Sequence, residues 1–81
     1  MNIDTSGIEK LLRKLKQKDP ALFRAVQRKI DQIAKLDRET INHFKNLSNY
    51  KRVHVGSFVL FFKIEGNTII FDKLRHHDGA Y

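Results

Sequence analysis

A stretch in the second half of the chain constrains the fold more than any other feature. Residues 51–74 are KRVHVGSFVLFFKIEGNTIIFDKL, rich in the β-branched and aromatic residues that favour strands. Two dipeptides, Gly56-Ser57 and Gly66-Asn67, interrupt this stretch, and both suit the two-residue turns of β-hairpins. The stretch therefore predicts three antiparallel strands joined by two tight turns.

The positions of these turns determine which side chains share a face of the predicted sheet. On one face, four apolar pairs lie opposite each other: Val55 with Phe58, Val53 with Leu60, Ile64 with Ile69, and Phe62 with Phe71. The other face carries Arg52, His54, Val59, Phe61, Lys63, Ile70 and Asp72. Strict alternation would then turn Lys73 into the core, so we predict a bulge, or the end of pairing, near Asp72.

The first helix is predicted from a cap signal and an apolar periodicity. Ser6-Gly7-Ile8-Glu9 has the Ser-x-x-Glu spacing of a capping box, in which each side chain satisfies a free amide at the helix start. Apolar residues then recur on one helix face: Ile8, Leu11, Leu12 and Leu15. The helix is expected from about Gly7 to about Lys18.

A second helix is predicted to begin at Asp19-Pro20, because aspartate can cap and proline suits the first helical position. Its apolar stripe is Phe23, Val26, Ile30 and Ile33, and we expect it to end near Lys35 or Leu36. Both stripes need a surface to bury them, and the apolar face of the strands supplies it. The predicted fold class is therefore α+β: a single domain over residues 1–81, with a two-helix hairpin packed on one face of a small antiparallel sheet.

Composition narrows the function classes. The chain has 16 Lys and Arg against nine Asp and Glu, and this charge of +7 favours polyanionic partners such as nucleic acid or an acidic protein. It has no cysteine, which excludes disulfides and thiolate metal sites and fits a reducing compartment. No apolar run approaches the ~18 residues of a membrane span, and no signal pattern is present. We therefore expect a soluble, cytoplasmic protein without a membrane partner.

Two segments carry side chains suited to phosphate and proton-transfer chemistry. Arg52 and His54 alternate on the face that no predicted helix covers, and the chain ends in LRHHDGAY. Histidine can take or give a proton near neutrality, and arginine offers paired donors to phosphate oxygens. An isolated Arg-x-His could be only the solvent side of a strand. The exposed apolar residues expected beside it, Val59, Phe61 and Ile70, favour a binding surface instead.

The element order and the segment from Lys45 to Tyr81 resemble the RelE/ParE toxin superfamily of toxin–antitoxin modules. The likeness covers nearly the whole chain, and it is closest to members that end in His-His-Asp-x-x-Tyr, here HHDGAY. Asn2-Ile3-Asp4 would be the first, unusually short strand of a RelE-like β-α-α-β-β-β order.

The resemblance implies an endoribonuclease that cuts messenger RNA on the ribosome without a metal or other cofactor. It also implies an acidic antitoxin that holds the toxin silent, in a toxin–antitoxin hetero-oligomer. The catalytic candidates are Arg52, His54, Arg75, His76, His77 and Tyr81. Candidates for binding RNA phosphates are Lys45, Lys51 and Lys63, and candidates for binding the antitoxin are Val59, Phe61 and Ile70.

The two adjacent histidines cannot both serve the same site. Neighbouring residues of an extended segment point to opposite sides, so at most one of His76 and His77 should lie beside Arg52. We favour His77, which follows Arg75 on the same side of an extended tail. A zinc site is not expected here, because adjacent residues seldom chelate one ion and no fourth ligand is evident.

Two other functions remain open. ParE-type members share the fold but poison DNA gyrase, which needs no acid–base pair, so the histidines favour the nuclease. A catalytically weak relative would only bind its antitoxin or RNA. That reading stays open because Val59 stands where many active relatives carry an arginine, and so removes a phosphate-binding cation.

Overall fold

A computed structural model describes residues 2–41, 46–47 and 50–76 of the chain. Its elements in chain order are strand β1 (Asn2–Asp4), a 3-10 turn (Ser6–Ile8), helices α1 (Glu9–Lys18), α2 (Pro20–Ala34) and α3 (Arg38–Ile41), and strands β2 (Asn46–Leu47), β3 (Tyr50–Val55), β4 (Phe58–Glu65) and β5 (Thr68–His76). None of the described helices is long and apolar enough to cross a membrane.

The predicted α+β class is confirmed, with a difference at one edge of the sheet. The five strands lie in the order β1-β5-β4-β3-β2, and β2 to β5 pair antiparallel. β1 instead pairs parallel with β5, so that Ile3 lies beside Ile69 and the sheet is mixed. The helices carry the chain across the sheet before the meander begins, which leaves β1 beside the last strand.

The meander has the predicted turns and register. All four apolar pairs expected on one face are present: Val55 with Phe58, Val53 with Leu60, Phe62 with Phe71, and Ile64 with Ile69. Gly56 and Gly66 have φ angles of 58° and 60°, a left-handed conformation that glycine adopts without steric cost. Each therefore allows the tight turn that fixes the pairing on either side of it.

The bulge expected near Asp72 is also confirmed. Phe62 pairs with Phe71, whereas its neighbour Phe61 pairs with Lys73, so Asp72 is an extra residue in β5. The alternation of side chains reverses at this point. Leu74, which pairs with Leu60, is therefore buried on the helix side, and its neighbours in β5 face the other way.

The start of α1 differs from the prediction, because the capping box does not form. Ser6 lies in the 3-10 turn, and its amide and hydroxyl both donate to Asp4 Oδ1, at 2.9 and 2.7 Å. These bonds lower the pKa of Asp4, the hydroxyl bond being the larger cause. Glu9 instead pairs with Arg13, one turn further along α1, at 2.8 Å. The end of β1 places a carboxylate close enough to Ser6 to compete with the helix for its donors.

The second helix starts as predicted. Asp19 Oδ1 accepts a hydrogen bond from the amide of Leu22 at 3.2 Å, and Pro20 occupies the first turn. α2 ends at Ala34, with Lys35 as its C-cap. The aspartate satisfies an amide that the helix itself leaves without a partner.

The core lies between the helices and the sheet. Its fully buried members include Val26 and Ile30 from α2, and Leu60, Phe62, Ile69 and Phe71 from the sheet. Ile41 of α3 is equally buried, although no helix was predicted between the second helix and the strands. Asp37 caps this short helix by accepting from the amide of Thr40 at 2.7 Å, a bond that lowers the pKa of Asp37. The connection thus adds an apolar side chain to the core.

Candidate functional site

The candidate site lies on the face of β3, β4 and β5 that points away from α1 and α2, called here the far face. Register places two rows of side chains across it. In one, Val59 of β4 pairs with His54 on one side and Arg75 on the other. In the second, Phe61 of β4 pairs with Arg52 and with Lys73. Since paired strands are about 4.8 Å apart, the outer residues of each row have backbones roughly 10 Å apart.

The apolar residues between these cations form a buried floor. Val59 is 0% exposed and Phe61 is 6% exposed, so the prediction that they are uncovered was wrong. Both lie on β4, the central strand, where longer side chains from two neighbouring strands stand on either side. The prediction considered only whether a helix covers this face. Of the three expected antitoxin contacts, Ile70 alone is half-exposed.

Three of the predicted catalytic residues are described on or next to this floor. Arg52 is half-buried, and its Nη1 atom is buried, whereas His54 and Arg75 are exposed. A guanidinium that is partly shielded from water interacts more strongly with a phosphate than a fully hydrated one. The arrangement therefore offers one shielded cation, two more accessible ones at Lys73 and Arg75, and one imidazole.

A tyrosine that the sequence analysis missed crosses this face. The hydroxyl of Tyr50 in β3 donates to Asp72 Oδ2 in β5 at 2.9 Å. Because β4 lies between those two strands, the phenol must pass over β4. The ammonium groups of Lys63 and Lys73 lie 5.6 and 5.3 Å from the ring centroid, within the range of cation–π attraction. The hydrogen bond to Asp72, and secondarily burial, raise the pKa of Tyr50.

The signal for this contact was present in the sequence. The predicted strands begin at Lys51, so Tyr50 falls one residue outside them. Extending the alternation by one residue would have placed Tyr50 on the same face as Arg52 and Asp72. A long side chain on that face can reach across one intervening strand.

Other predicted site residues lie elsewhere. Lys51 pairs with Phe62, so its register position is on the helix side and not beside Arg52. His76 pairs with Phe58, also on the helix side, and the two rings meet edge to face with centroids 5.3 Å apart. The structure therefore does not bring His76 to the far face. Three further candidates, Lys45, His77 and Tyr81, lie outside the described residues.

Lys63 does lie on the far face, but it has an acidic neighbour. Its ammonium is 3.1 Å from Glu65 Oε2, and this contact raises the pKa of Lys63. Both residues are on β4, two positions apart, so their side chains share a face. Lys63 is thus partly neutralised, which weakens its attraction for anions.

A shallow groove adjoins the far face at the C-terminal end of β3, beside the turn that leads into β4. It runs between α2 and the β3–β4 turn, lined by Ala25, Arg28, Lys29, Gln32, His54, Val55 and Gly56. The two cations from α2 were not singled out in the sequence, where they are part of a generally basic helix. Since His54 borders both surfaces, the positive potential of the far face continues toward α2.

The fold and the far face together define a small basic α+β protein with a surface suited to phosphate groups. Over 93% of its length the chain aligns at 36% identity with a protein of Methanocaldococcus jannaschii named "Putative toxin RelE4", and the alignment covers 83% of that protein. No family model and no solved structure matches the chain. On this similarity, the chain belongs to the RelE toxin family.

Proposed function

We propose that the chain is the toxin of a type II toxin–antitoxin module and that it cuts messenger RNA on the ribosome without a metal. Membership of the RelE family supports the toxin role. The observation that carries the nuclease proposal is the double row on the far face, where Arg52, His54, Lys73 and Arg75 surround a buried apolar floor. Three cations and an imidazole around an apolar floor suit the binding of a phosphodiester.

The chemistry requires three kinds of group. A base takes the proton of the ribose 2'-hydroxyl, whose oxygen forms the new bond to phosphorus. Cations stabilise the charged pentacoordinate phosphorus, and an acid protonates the 5'-oxygen as its bond to phosphorus breaks. The products are a 2',3'-cyclic phosphate and a 5'-hydroxyl. His54 serves as one of the proton-transfer groups, and Arg52 and Arg75 bind the phosphate.

The geometry suits a phosphodiester placed over Val59. His54 and Arg75 flank this residue from opposite strands, and the long side chains of Arg52 and Lys73 can reach inward from the next row. Arg75 stands directly beside the position where many relatives carry an arginine. We propose that it supplies the cation that Val59 lacks.

The tail completes the site in this proposal. The chain is assigned to the members ending in His-His-Asp-x-x-Tyr, with His77 as the second proton-transfer group and Tyr81 stacking on a base or assisting proton transfer. His76 then has a packing role, since its ring lies against Phe58. General acid–base catalysis of this kind contributes roughly 10²- to 10⁴-fold, so the His77→Ala change should cost far more cleavage than His76→Ala.

The partner proposed for this basic chain is an acidic antitoxin. A net charge of +7 would steer such a protein toward the toxin and make association sensitive to salt. Because Val59 and Phe61 form the floor, we propose that the antitoxin covers the cations around them and meets Ile70 at the edge. Co-expression with the neighbouring gene should yield a complex, and a neighbour that neither binds nor neutralises would contradict the module.

The deciding experiment maps the ends of messenger RNA cut on translating ribosomes. We expect 2',3'-cyclic phosphate ends, and we expect the Arg52→Ala variant to lose cleavage while Arg13→Ala, which changes an exposed arginine on α1, keeps it. Ends that carry a 3'-hydroxyl would overturn the mechanism. Intact messenger RNA combined with a tight antitoxin complex would favour the binding-only alternative, for which the valine at position 59, in place of an arginine, is the motive.

A further inference from the structure

We propose that Tyr50, Asp72 and Gly7 are positioning residues that lock the bulge in β5, and that this lock turns Lys73 and Arg75 onto the far face. The inference rests on the proposed function for its catalytic consequence. Its structural part, the coupling of a tyrosine in β3 to the alternation of β5, stands independently of any activity. None of the three residues needs to touch the substrate.

The bulge decides which face of the sheet receives two cations. Before it, Ile69 and Phe71 face the helices; with unbroken alternation, Lys73 and Arg75 would follow them into the core. The extra residue at Asp72 reverses this, so that Lys73 pairs with Phe61, Arg75 pairs with Val59, and Leu74 is buried at 7% exposure. The inserted residue therefore places Lys73 and Arg75 on the far face and Leu74 on the helix side. Bulges commonly redirect side chains in this way.

The hydrogen bond from Tyr50 fixes the bulged residue from one side. It is 2.9 Å long and ends on the side chain of Asp72 itself. The tyrosine ring also lies 5.3 Å from the ammonium of Lys73, the first side chain that the bulge redirects. The phenol of Tyr50 is a donor at neutral pH, because its pKa starts from an ordinary value of 10.0 and the bond to Asp72 raises the pKa further.

Gly7 confines the same residue from the other side. A Cβ placed on Gly7 would lie 3.0 Å from Asp72 Oδ1 and 3.1 Å from the Asp72 carbonyl oxygen. No larger residue fits there unless Asp72 moves. The 3-10 turn is thereby packed directly against the bulge. Asp72 is held between an early turn of the chain and a strand 22 residues before it.

The lock matters because reaction rates depend strongly on where charges stand. A displacement of about 1 Å in a positioned group can cost on the order of 100-fold in rate. If β5 shifts at the bulge, Arg75 moves relative to His54 and Lys73 moves relative to Arg52. Tyr50→Phe leaves the charge of the basic surface unchanged, so we expect this variant to keep its affinity for the ribosome and to lose rate in the cleavage step.

The test compares a variant that removes one atom of the lock with a control variant that removes a similar atom outside it. Tyr50→Phe deletes the hydroxyl and keeps the ring, and Thr68→Val deletes a hydroxyl at the start of the same strand as Asp72. We expect Tyr50→Phe to lower the single-turnover cleavage rate on ribosomes on the order of 10- to 100-fold with an unchanged half-saturating ribosome concentration. Thr68→Val should cut at the wild-type rate.

A conservative pair separates positioning from direct catalysis. Asp72→Asn keeps an acceptor oxygen for Tyr50 and should retain most of the rate, whereas Asp72→Leu has the shape without the acceptor and should lose it. If the two residues act as a unit, the double variant Tyr50→Phe/Asp72→Leu should be no slower than Asp72→Leu alone. Additive losses, or equal losses in Asn and Leu variants, would overturn the proposal.

An NMR readout distinguishes failure of the lock from failure of the nuclease. Cross-strand contacts between Phe61 and Lys73 report the bulged register directly. We expect them to weaken in Tyr50→Phe and persist in Thr68→Val, whether or not the chain cuts RNA. If the wild-type chain does not cut RNA but the contacts still weaken in Tyr50→Phe, the proposed function is overturned and the lock is kept. Unaltered contacts in Tyr50→Phe would remove the lock, whatever the activity.

Discussion

The two faces of this sheet are specified in different ways. The face toward the helices is closed by burial, with Leu60, Phe62 and Phe71 fully inaccessible. None of the described helices covers the far face, where cations and a tyrosine stand around two buried side chains on β4. An apolar alternation is enough to specify the first face, because a wrong register would expose the whole apolar set. The second depends on a bulge and on one long side chain that crosses a strand.

The largest expected effect compares two adjacent phenylalanines, one on each face. Phe62→Ala should lower the free energy of unfolding by about 3–5 kcal/mol, because it leaves a cavity in a closed core. Phe61→Ala should cost about 1.5–3 kcal/mol, the transfer term alone, since the side chains of Arg52 and Lys73 can close over the gap. Urea unfolding of the two variants measures the difference. Equal losses would show that the far face is packed as rigidly as the core.

A functional contrast between the faces comes from two arginines. Arg52→Ala should reduce cleavage on the order of 10²- to 10³-fold, because it removes the shielded cation of the far face. Arg13→Ala, an equal loss of charge on α1, should leave both cleavage and growth inhibition near wild type. Cell growth and urea unfolding, measured in parallel, separate loss of activity from loss of fold. Undiminished toxicity of Arg52→Ala at a normal protein level would remove this residue from the site.

The sequence predicts the helix-side face of the sheet better than the far face. The hairpin turns, the four apolar pairs and the bulge at Asp72 were all predictable, since turn residues and alternation carry them locally. Asp19 as a cap was equally local. The failed capping box at Ser6 shows that two local signals can compete, because Asp4, two residues earlier in the chain, accepts hydrogen bonds from the amide and the hydroxyl of Ser6.

Most of the misses have a non-local cause. The parallel pairing of β1 joins residues more than 60 positions apart, and nothing near Ile3 in the sequence announces it. Ile41 lies in a segment to which the sequence analysis assigned no helix or strand, so its burial against the sheet was not predicted. Val59 and Phe61 are buried although no described helix covers them, and their cross-strand neighbours on β3 and β5 have longer side chains. Tyr50 is the exception, because the predicted strand begins at Lys51, one residue after the observed start of β3.

Alanine substitutions at two glycines should lower the free energy of unfolding for different reasons. Gly7→Ala should destabilise the chain by about 1–3 kcal/mol, because its Cβ would collide with the bulged Asp72. Gly66→Ala should cost about 1–2 kcal/mol through its φ of 60°, although a Cβ there meets no described atom within 4 Å. Unfolding alone does not separate them. The cleavage rate does separate them, since only Gly7→Ala disturbs Asp72, the bulged residue that orients Arg75. A Gly7→Ala variant as active as Gly66→Ala would show that the 3-10 turn does not affect the site.

The smallest expected effect is the pH dependence of the Tyr50–Asp72 hydrogen bond. The pKa of Tyr50 is raised above its usual value of 10.0, so the protonated phenol is favoured in the folded chain. Its contribution to stability is therefore fully present below pH 10 and is lost as the pH rises through the higher folded pKa. The difference in unfolding free energy between the wild type and Tyr50→Phe should be constant near neutrality and shrink on the alkaline side. Asp37, whose pKa is lowered by the Thr40 amide, gives the opposite control: its contribution is lost as the pH falls through its folded pKa, below 3.8. A Tyr50→Phe difference that grows with alkaline pH would mean that the phenolate is the favoured form, and the far face would then be held by its lysines and not by Asp72.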